Sequence, residues 1–488
     1  MSDEIAIVGM AARLPGAADV AGYWDNLRAG VDAIHRYSDV ELRAAGVGDE
    51  LLADPRYVRA GGYLPGIEDF DAEFFGYTPA EAAEIDPQHR LFLEVAWHAL
   101  QDAGEQPGRL DAPVGVFTGT SVNRYFLRHL YRPDRLGAAD EPMPPGHAPD
   151  YLPLRTAYKL GLTGPAVATQ AACASSLVAV CLAAQSLLDY RCDLAIAGGS
   201  SVAATTPSGY LARAGLSPDG VIRAFDAKAQ GTRYGSGAAG VVLKRCEDVT
   251  DDRVYAVLRG WAVTNDGARR GGFAVPGVAG LADAVAEALA TAELTPADIG
   301  YLEAHGSGTP LGDAIEVRAL GSVFAGAADG CLLGSVKPSI GNLDAAAGVA
   351  GLIKAALTVR DGVVPASLHV EAPHPDVDLA AGRFEIATTT RRWPTPGPRY
   401  AGVSAIGLGG TTAHVVLGEP APADGPRRTP LPAHRFRRQR HWIEPAGRPD
   451  RADRAAGPEA TRGSARQRDR AAQGSNGNGD RAETGGRR

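Results

Sequence analysis

Cysteine is scarce in this chain, five among 488 residues, an odd number at scattered spacings. That pattern does not suggest a disulfide framework. No apolar run is long enough to cross a bilayer. Met1-Ser2-Asp3-Glu4 leads straight into a strand-like segment, without the charged and apolar regions of a secretory leader. These absences predict a cytoplasmic, reducing setting, which a chemically active thiol needs. Basic excess is missing too, and a net charge of −8 argues against nucleic acid as a partner. From Ala446 to Arg488 there is no Leu, Ile, Val, Phe, Trp or Tyr. Such a tail cannot bury a core and is expected to be disordered.

The rest of the chain alternates amphipathic helices with short apolar strands. Leu91, Phe92, Val95, Ala96, Ala99, Leu100 and Ala103 make one apolar helical face, and Leu281, Val285, Ala288 and Leu289 another. Asp193 to Val202 and Gly240 to Leu243 read as buried strands. The alternation predicts an α/β class.

Cys173 is the most informative residue. It lies in Ala171-Ala172-Cys173-Ala174-Ser175-Ser176, where a Gly/Pro-marked stretch gives way to an apolar helix expected over Ser176 to Tyr190. A thiol at a helix N-terminus faces unpaired N–H groups and the positive end of the dipole, and both favour thiolate. Buried cysteines ordinarily pack inertly, and Cys181, Cys192, Cys246 and Cys331 receive that reading. Two distant segments set Cys173 apart. One is Glu303-Ala304-His305-Gly306-Ser307-Gly308-Thr309-Pro310-Leu311-Gly312-Asp313, after a strand-like Ile299 to Leu302. The other is Lys337-Pro338-Ser339-Ile340-Gly341-Asn342-Leu343-Asp344-Ala345-Ala346-Ala347-Gly348.

With these segments the chain resembles the β-ketoacyl synthases, and most closely the ketosynthase domains of modular polyketide synthases. The family carries its nucleophile in a TACSSS-like turn, one His in an EAHGTGT-like loop and another in a KxxxGHxxxAAG-like loop. Cys173 and His305 match the first two, whereas Asn342 stands where the family has the second His. Ile5 to Gly16, Asp86-Pro87-Gln88-His89-Arg90, Gly115 to Ser121, Ala224 to Gly240 and Gly402 to His414 also fit, in the right order. Any one string is weak; together they are specific.

The resemblance implies a thiolase-like fold of two similar βαβαβαββ halves in alternating α/β layers. Residues 1–250 would form the half with the nucleophile, and 251–419 the half with the His and Asn loops. Residues 420–445 hold Leu431-Pro432-Ala433-His434-Arg435-Phe436-Arg437-Arg438-Gln439-Arg440-His441-Trp442. This is similar to the segment that follows the acyltransferase in modular synthases and packs back on the ketosynthase. The acyltransferase itself, with its GHSxG motif, is absent, so extender units are expected from a separate enzyme.

The implied roles follow residue by residue. Cys173 would take the acyl chain from the phosphopantetheine arm of an acyl carrier protein, with no bound cofactor or metal. The N–H groups of Cys173 and Leu408, the latter in Ile406-Gly407-Leu408-Gly409-Gly410, would form an oxyanion hole. Gly409 and Gly410 would let that loop approach the thioester, and Ser307 and Thr309 would hold the pantetheine. His305 would donate to the enolate oxygen after decarboxylation, and Lys337 and Glu316 would support it as a charged pair. Asn342 can still donate a hydrogen bond but cannot carry a proton. Ketoacyl synthases of type III use Cys, His and Asn and still decarboxylate, whereas loss of a histidine in modular ketosynthases typifies non-elongating domains. Further departures are Ser236 for Glu, Thr412 for Asn, Gln170-Ala171 for Asp-Thr and Ile406 for Phe.

Three readings result. The leading one is a ketosynthase condensing an acyl chain on Cys173 with a malonyl-type extender. The second is acyl transfer or cyclisation without extension. The third is a non-catalytic partner like the chain-length factors, against which Cys173 itself argues. The family implies a homodimer.

Overall fold

The computed structural model describes residues 4–131, 146–326, 330–394, 396–421 and 427–444, so the expected disordered tail lies outside the described residues. Residues up to Ile443 form one compact unit. Its centre is an eleven-stranded mixed sheet. In chain order the strands are β1 (Ile5–Arg13), β2 (Val114–Thr120), β3 (Ala166–Ala168), β4 (Leu194–Ser201), β5 (Gly237–Arg245) and β6 (Ala256–Asn265). They continue with β7 (Ile299–Glu303), β8 (Cys331–Gly334), β9 (Phe384–Ile386), β10 (Tyr400–Ile406) and β11 (Thr411–Gly418).

The spatial order is β9-β8-β7-β10-β11-β6-β1-β5-β4-β2-β3. Within it, β3-β2-β4-β5-β1 and β8-β7-β10-β11-β6 repeat one pattern: two parallel pairings, then two antiparallel ones. The two halves of the chain therefore share one topology, and they join where β1 pairs antiparallel with β6. This is the duplicated thiolase-like α/β fold, with β9 added at one edge.

Alternation along β1 shows how the layers arise. Ile5 and Ile7 enter one core cluster, and Ala6 and Val8 enter another on the opposite face. The first cluster surrounds helices α2 (Ser175–Leu188) and α5 (Ala347–Asp361), which pack on each other and on strands of both halves. Both helices are apolar on nearly all sides, as a middle layer must be. An added Cβ at Gly348 would come 2.8 Å from Cβ of Leu177, so the glycine lets the two helix starts touch. Outside, α1 (Pro87–Asp102) covers the first half, and α3 (Val278–Thr291) and α4 (Pro310–Phe324) cover the second.

Helix α1 begins four residues before the Leu91 expected from its apolar face. Asp86 caps it, accepting from the Gln88 N–H at 2.9 Å, and Pro87 occupies the first turn. The gained turn buries Gln88, His89 and Arg90. The segment after Thr429 then lies along the whole helix, from Gln101 near its C-terminal end to Arg90 near its N-terminal end. Arg90 donates to the His441 carbonyl (2.7 Å), and Gln101 bridges the Pro432 carbonyl and the His434 N–H. Arg438 forks onto buried Glu94 at 2.9–3.1 Å, while Phe436 packs among Phe74 and Phe75, and Trp442 against Tyr125. Strand β11 ends at Gly418, eleven residues before Thr429 in the sequence.

Candidate active site

The cysteine turn forms where β3 hands over to α2. A single 3-10 turn, Ala172–Ala174, precedes the helix, so α2 starts at Ser175. Ser175 pins the turn: its Oγ accepts from the Ala171 N–H (2.9 Å) and donates to the Ala172 carbonyl (2.7 Å). Ala172 is held at φ +49°, in the left-handed region a Cβ disfavours. Across from it Asp344 sits at φ +48°. Two non-glycine residues in this strained region thus flank one thiol.

Cys173 is buried. Its Sγ lies 3.4 Å from Oδ1 of Asp344 as donor, and 3.8 Å from Nδ2 of Asn342 as acceptor. The sequence predicts a thiolate favoured by the helix N-terminus, and the structure overturns that. Burial first, and then the Asp344 charge, push the thiol up to about 12. Lys337 and the Asn342 amide oppose this without reversing it.

His305 follows β7 and shares a small cavity with Cys173, Lys337 and Gly348, with room for about one water. Its Nδ1 accepts from the Ile406 N–H at 3.2 Å, which leaves the ring proton on Nε2. Burial, then the Lys337 charge, holds the imidazole well below the usual range, so it is neutral. His305 is therefore a fixed N–H donor.

Lys337 and Glu316 do not form an ion pair with each other. They clamp one residue instead. Glu316 accepts the His305 N–H on Oε1 (2.7 Å) and the Gly306 N–H on Oε2 (2.8 Å), and the Lys337 ammonium donates to the His305 carbonyl. Burial raises Glu316 to about 7 and lowers Lys337. A third group closes the loop from below: Asp313 accepts from the Phe225 and Gly308 N–H groups and is raised to about 7, chiefly by burial. Ser307 Oγ and Thr309 Oγ1 lie 2.8 Å apart at the start of α4.

Asn342 is held by its backbone, with N–H to the Arg233 carbonyl and carbonyl to the Gly235 N–H, both 2.8 Å. Its Oδ1 accepts from the Asp344 N–H (3.1 Å), which turns the amide NH₂ toward Cys173. The loop Ile406–Gly410 joins β10 to β11. A Cβ at Gly407 would come 2.2 Å from the Ala171 carbonyl, so this loop lies directly against the cysteine turn. Gly409 and Gly410 adopt φ of +108° and +103°. The N–H groups of Cys173 and Leu408 make no backbone hydrogen bond among the described residues, and Leu408 is exposed.

Of the departures, Ile406 contacts the site through His305, and Gln170 reaches Thr120 at 3.5 Å. Thr412 is buried in β11 opposite Ile406. Ser236 instead ties Gly62 to Ala203 and hydrogen-bonds none of Cys173, His305 and Asn342. Sequence reasoning missed Asp344 and Asp313, although both lie within the strings that carry the resemblance. It also missed Glu303, which accepts from the Val336 N–H (2.8 Å) and the Tyr301 hydroxyl (2.5 Å) beside Lys354. Among the described residues no group of three or more His, Cys, Asp or Glu could hold a metal ion, and no helix is long and apolar enough to cross a membrane.

Known proteins resemble this chain in sequence and in fold. The β-ketoacyl synthase N-terminal domain matches residues 2–249, and the C-terminal domain matches 255–371. The chain is 45% identical over 438 residues to a component of the phenolphthiocerol/phthiocerol polyketide synthase of Mycobacterium tuberculosis, covering 86% of this chain and 29% of that one. It is 42% identical over 442 residues to polyketide synthase GfsE of Streptomyces halstedii, covering 87% and 11%. This chain thus spans less than a third of these relatives. Ketosynthase twelve of the bacillaene polyketide synthase of Bacillus amyloliquefaciens superposes with a TM-score of 0.80 at 36% identity, covering 86% of this chain and 75% of that one. The oxazolomycin ketosynthase domain OzmH KS7 of Streptomyces albus JA3453 gives 0.77 at 38%, covering 86% and 76%. The strand order, the cysteine turn and these matches agree: the chain belongs to the β-ketoacyl synthase family, as a ketosynthase domain of the polyketide synthases with the thiolase fold.

Proposed function

We propose that this ketosynthase accepts an acyl chain from a carrier protein onto Cys173 and extends it by decarboxylative condensation with a malonyl-type thioester. The observation that carries the reading is the pair of fixed donors beside one thiol, the neutral His305 with its proton on Nε2 and the Asn342 amide. In the first half-reaction Sγ attacks the thioester carbonyl, the pantetheine sulfur leaves, and the N–H groups of Cys173 and Leu408 receive the oxyanion. In the second, the malonyl C–C bond breaks and CO₂ departs. The electron pair moves onto the enolate oxygen, where His305 and Asn342 donate. The enolate carbon then attacks the acyl-cysteine carbonyl, and Sγ leaves. Neither donor has to change protonation state during decarboxylation, so an amide serves in the place of an imidazole.

Ser307 and Thr309 offer hydroxyls to the pantetheine arm, and Gly409 and Gly410 give it room. The extender would arrive on a carrier protein loaded by a separate acyltransferase. Strand β3 is one of the two edges of the sheet, with Val167 exposed, which suits pairing with a second copy in a homodimer.

One observation favours a second reading, transfer without extension: Asn342 cannot donate a proton as histidinium can. Acyl-loaded protein mixed with malonyl carrier protein separates the two by intact mass of the carrier. Condensation by the native enzyme gives a β-ketoacyl carrier; extension found only in Asn342→His would make it a transferase.

A further inference from the structure

Transfer of an acyl chain onto Cys173 releases the thiol proton, and few groups at the site can take it. Its pKa of about 12 means that Cys173 carries this proton at neutral pH. His305 cannot accept it, because Nδ1 is occupied by the Ile406 N–H and Nε2 already holds a proton. Asn342 presents its NH₂ to Sγ, and its Oδ1 is engaged by the Asp344 N–H. The Lys337 ammonium is committed to the His305 carbonyl and is a donor. The remaining titratable neighbour, Tyr234, is itself raised, by burial first and then by the charges of Cys173 and Asp344, with Arg124 and Arg213 opposing, so its hydroxyl keeps its own proton. Among the described residues, the one acceptor on the thiol is Asp344 Oδ1, 3.4 Å from Sγ.

We propose that Asp344 is the general base of the acyl-transfer half-reaction, taking the Cys173 proton. The step balances without a further reactant. Sγ forms its bond to the acyl carbon as the proton passes to Oδ1, the bond from the acyl carbon to the pantetheine sulfur breaks, and the departing sulfur takes the proton from Asp344. The left-handed backbone at Asp344 and the Asx contact from Asn342 Oδ1 to the Asp344 N–H hold the carboxylate toward the thiol. The residue touches the reacting sulfur and so acts in the chemistry itself. The assignment rests on the reading that Cys173 is acylated.

The test compares two reactions of Cys173, acylation by an acyl-pantetheine thioester and alkylation by iodoacetamide, each followed by intact mass. Asp344→Asn and Asp344→Gly are compared with the native chain; glycine suits the φ of +48° and leaves space for a small acid. Loss of the base should slow acylation by about 10²-fold or more. It should leave alkylation at alkaline pH equal or faster, since the negative charge beside the thiol is gone. Added formate should restore acylation in Asp344→Gly. A variant that merely distorts the turn would slow both reactions without formate rescue, which overturns the assignment. Native-rate acylation in Asp344→Gly overturns it as well. Failure of the native chain to acylate at all would instead remove the function on which the assignment rests.

Discussion

Replacing Lys354 by methionine tests what holds the two site loops in register. Lys354 and Glu303 are 1% and 2% exposed and lie 2.7 Å apart in the middle of the fold. Glu303 ends β7, one residue before the Ala304–His305 segment, and its Oε1 receives the N–H of Val336, the residue before Lys337. Methionine matches the lysine in length but leaves the Glu303 charge buried without a counter-ion. Removing one partner of a buried pair costs about 3–5 kcal/mol. The unit ends at Ile443; at about 2.1 cal/mol/K per residue its unfolding entropy is about 0.9 kcal/mol/K, so the loss lowers Tm by about 3–5 °C. The double variant Glu303→Gln with Lys354→Met removes both charges and should recover most of that loss. Scanning calorimetry of the native chain, both single variants and the double variant measures the coupling directly. A Lys354→Met protein melting within about 1 °C of native, or a double variant whose losses simply add, would refute the reasoning.

Other outcomes follow from the same geometry. Alkylation of Cys173 should rise about tenfold per pH unit from pH 7 to 10, because a thiol raised to about 12 stays largely protonated throughout; a plateau below pH 8 would contradict the buried, carboxylate-facing thiol. Gly407→Ala places a Cβ 2.2 Å from the Ala171 carbonyl, so the Leu408 loop must lift from the cysteine turn. Acylation rate should fall at least tenfold in that variant while far-ultraviolet circular dichroism is unchanged; a native rate would show that the loop is not part of the oxyanion site.

Much of this architecture is legible in the chain. The apolar strands, the helical faces and the ordered motifs point to an α/β fold with Cys173 and His305 at its centre. The strap around Phe436 and Trp442 is legible through its resemblance to the segment that packs back on the ketosynthase in modular synthases. Three things are not, each for a physical reason. The duplication lives in strand pairing, because the halves share topology without a visible repeat of residues. The start of α1 is set by the Asp86 cap and Pro87, whereas its apolar face alone suggests Leu91. The state of the Cys173 thiol depends on burial and on Asp344, 171 residues away. Helix position alone gives the wrong sign for it. Likewise Lys337 and Glu316 read as a pair in sequence but meet at the two ends of His305.

The central claim is that Cys173 carries the acyl chain. It is tested most directly by incubating the protein with an acyl-pantetheine thioester and locating the added mass by peptide mapping. One acyl group per chain is expected, on the peptide containing Cys173, and none in Cys173→Ala. An unmodified Cys173 under conditions that acylate other ketosynthases would contradict the claim and leave a non-catalytic partner role.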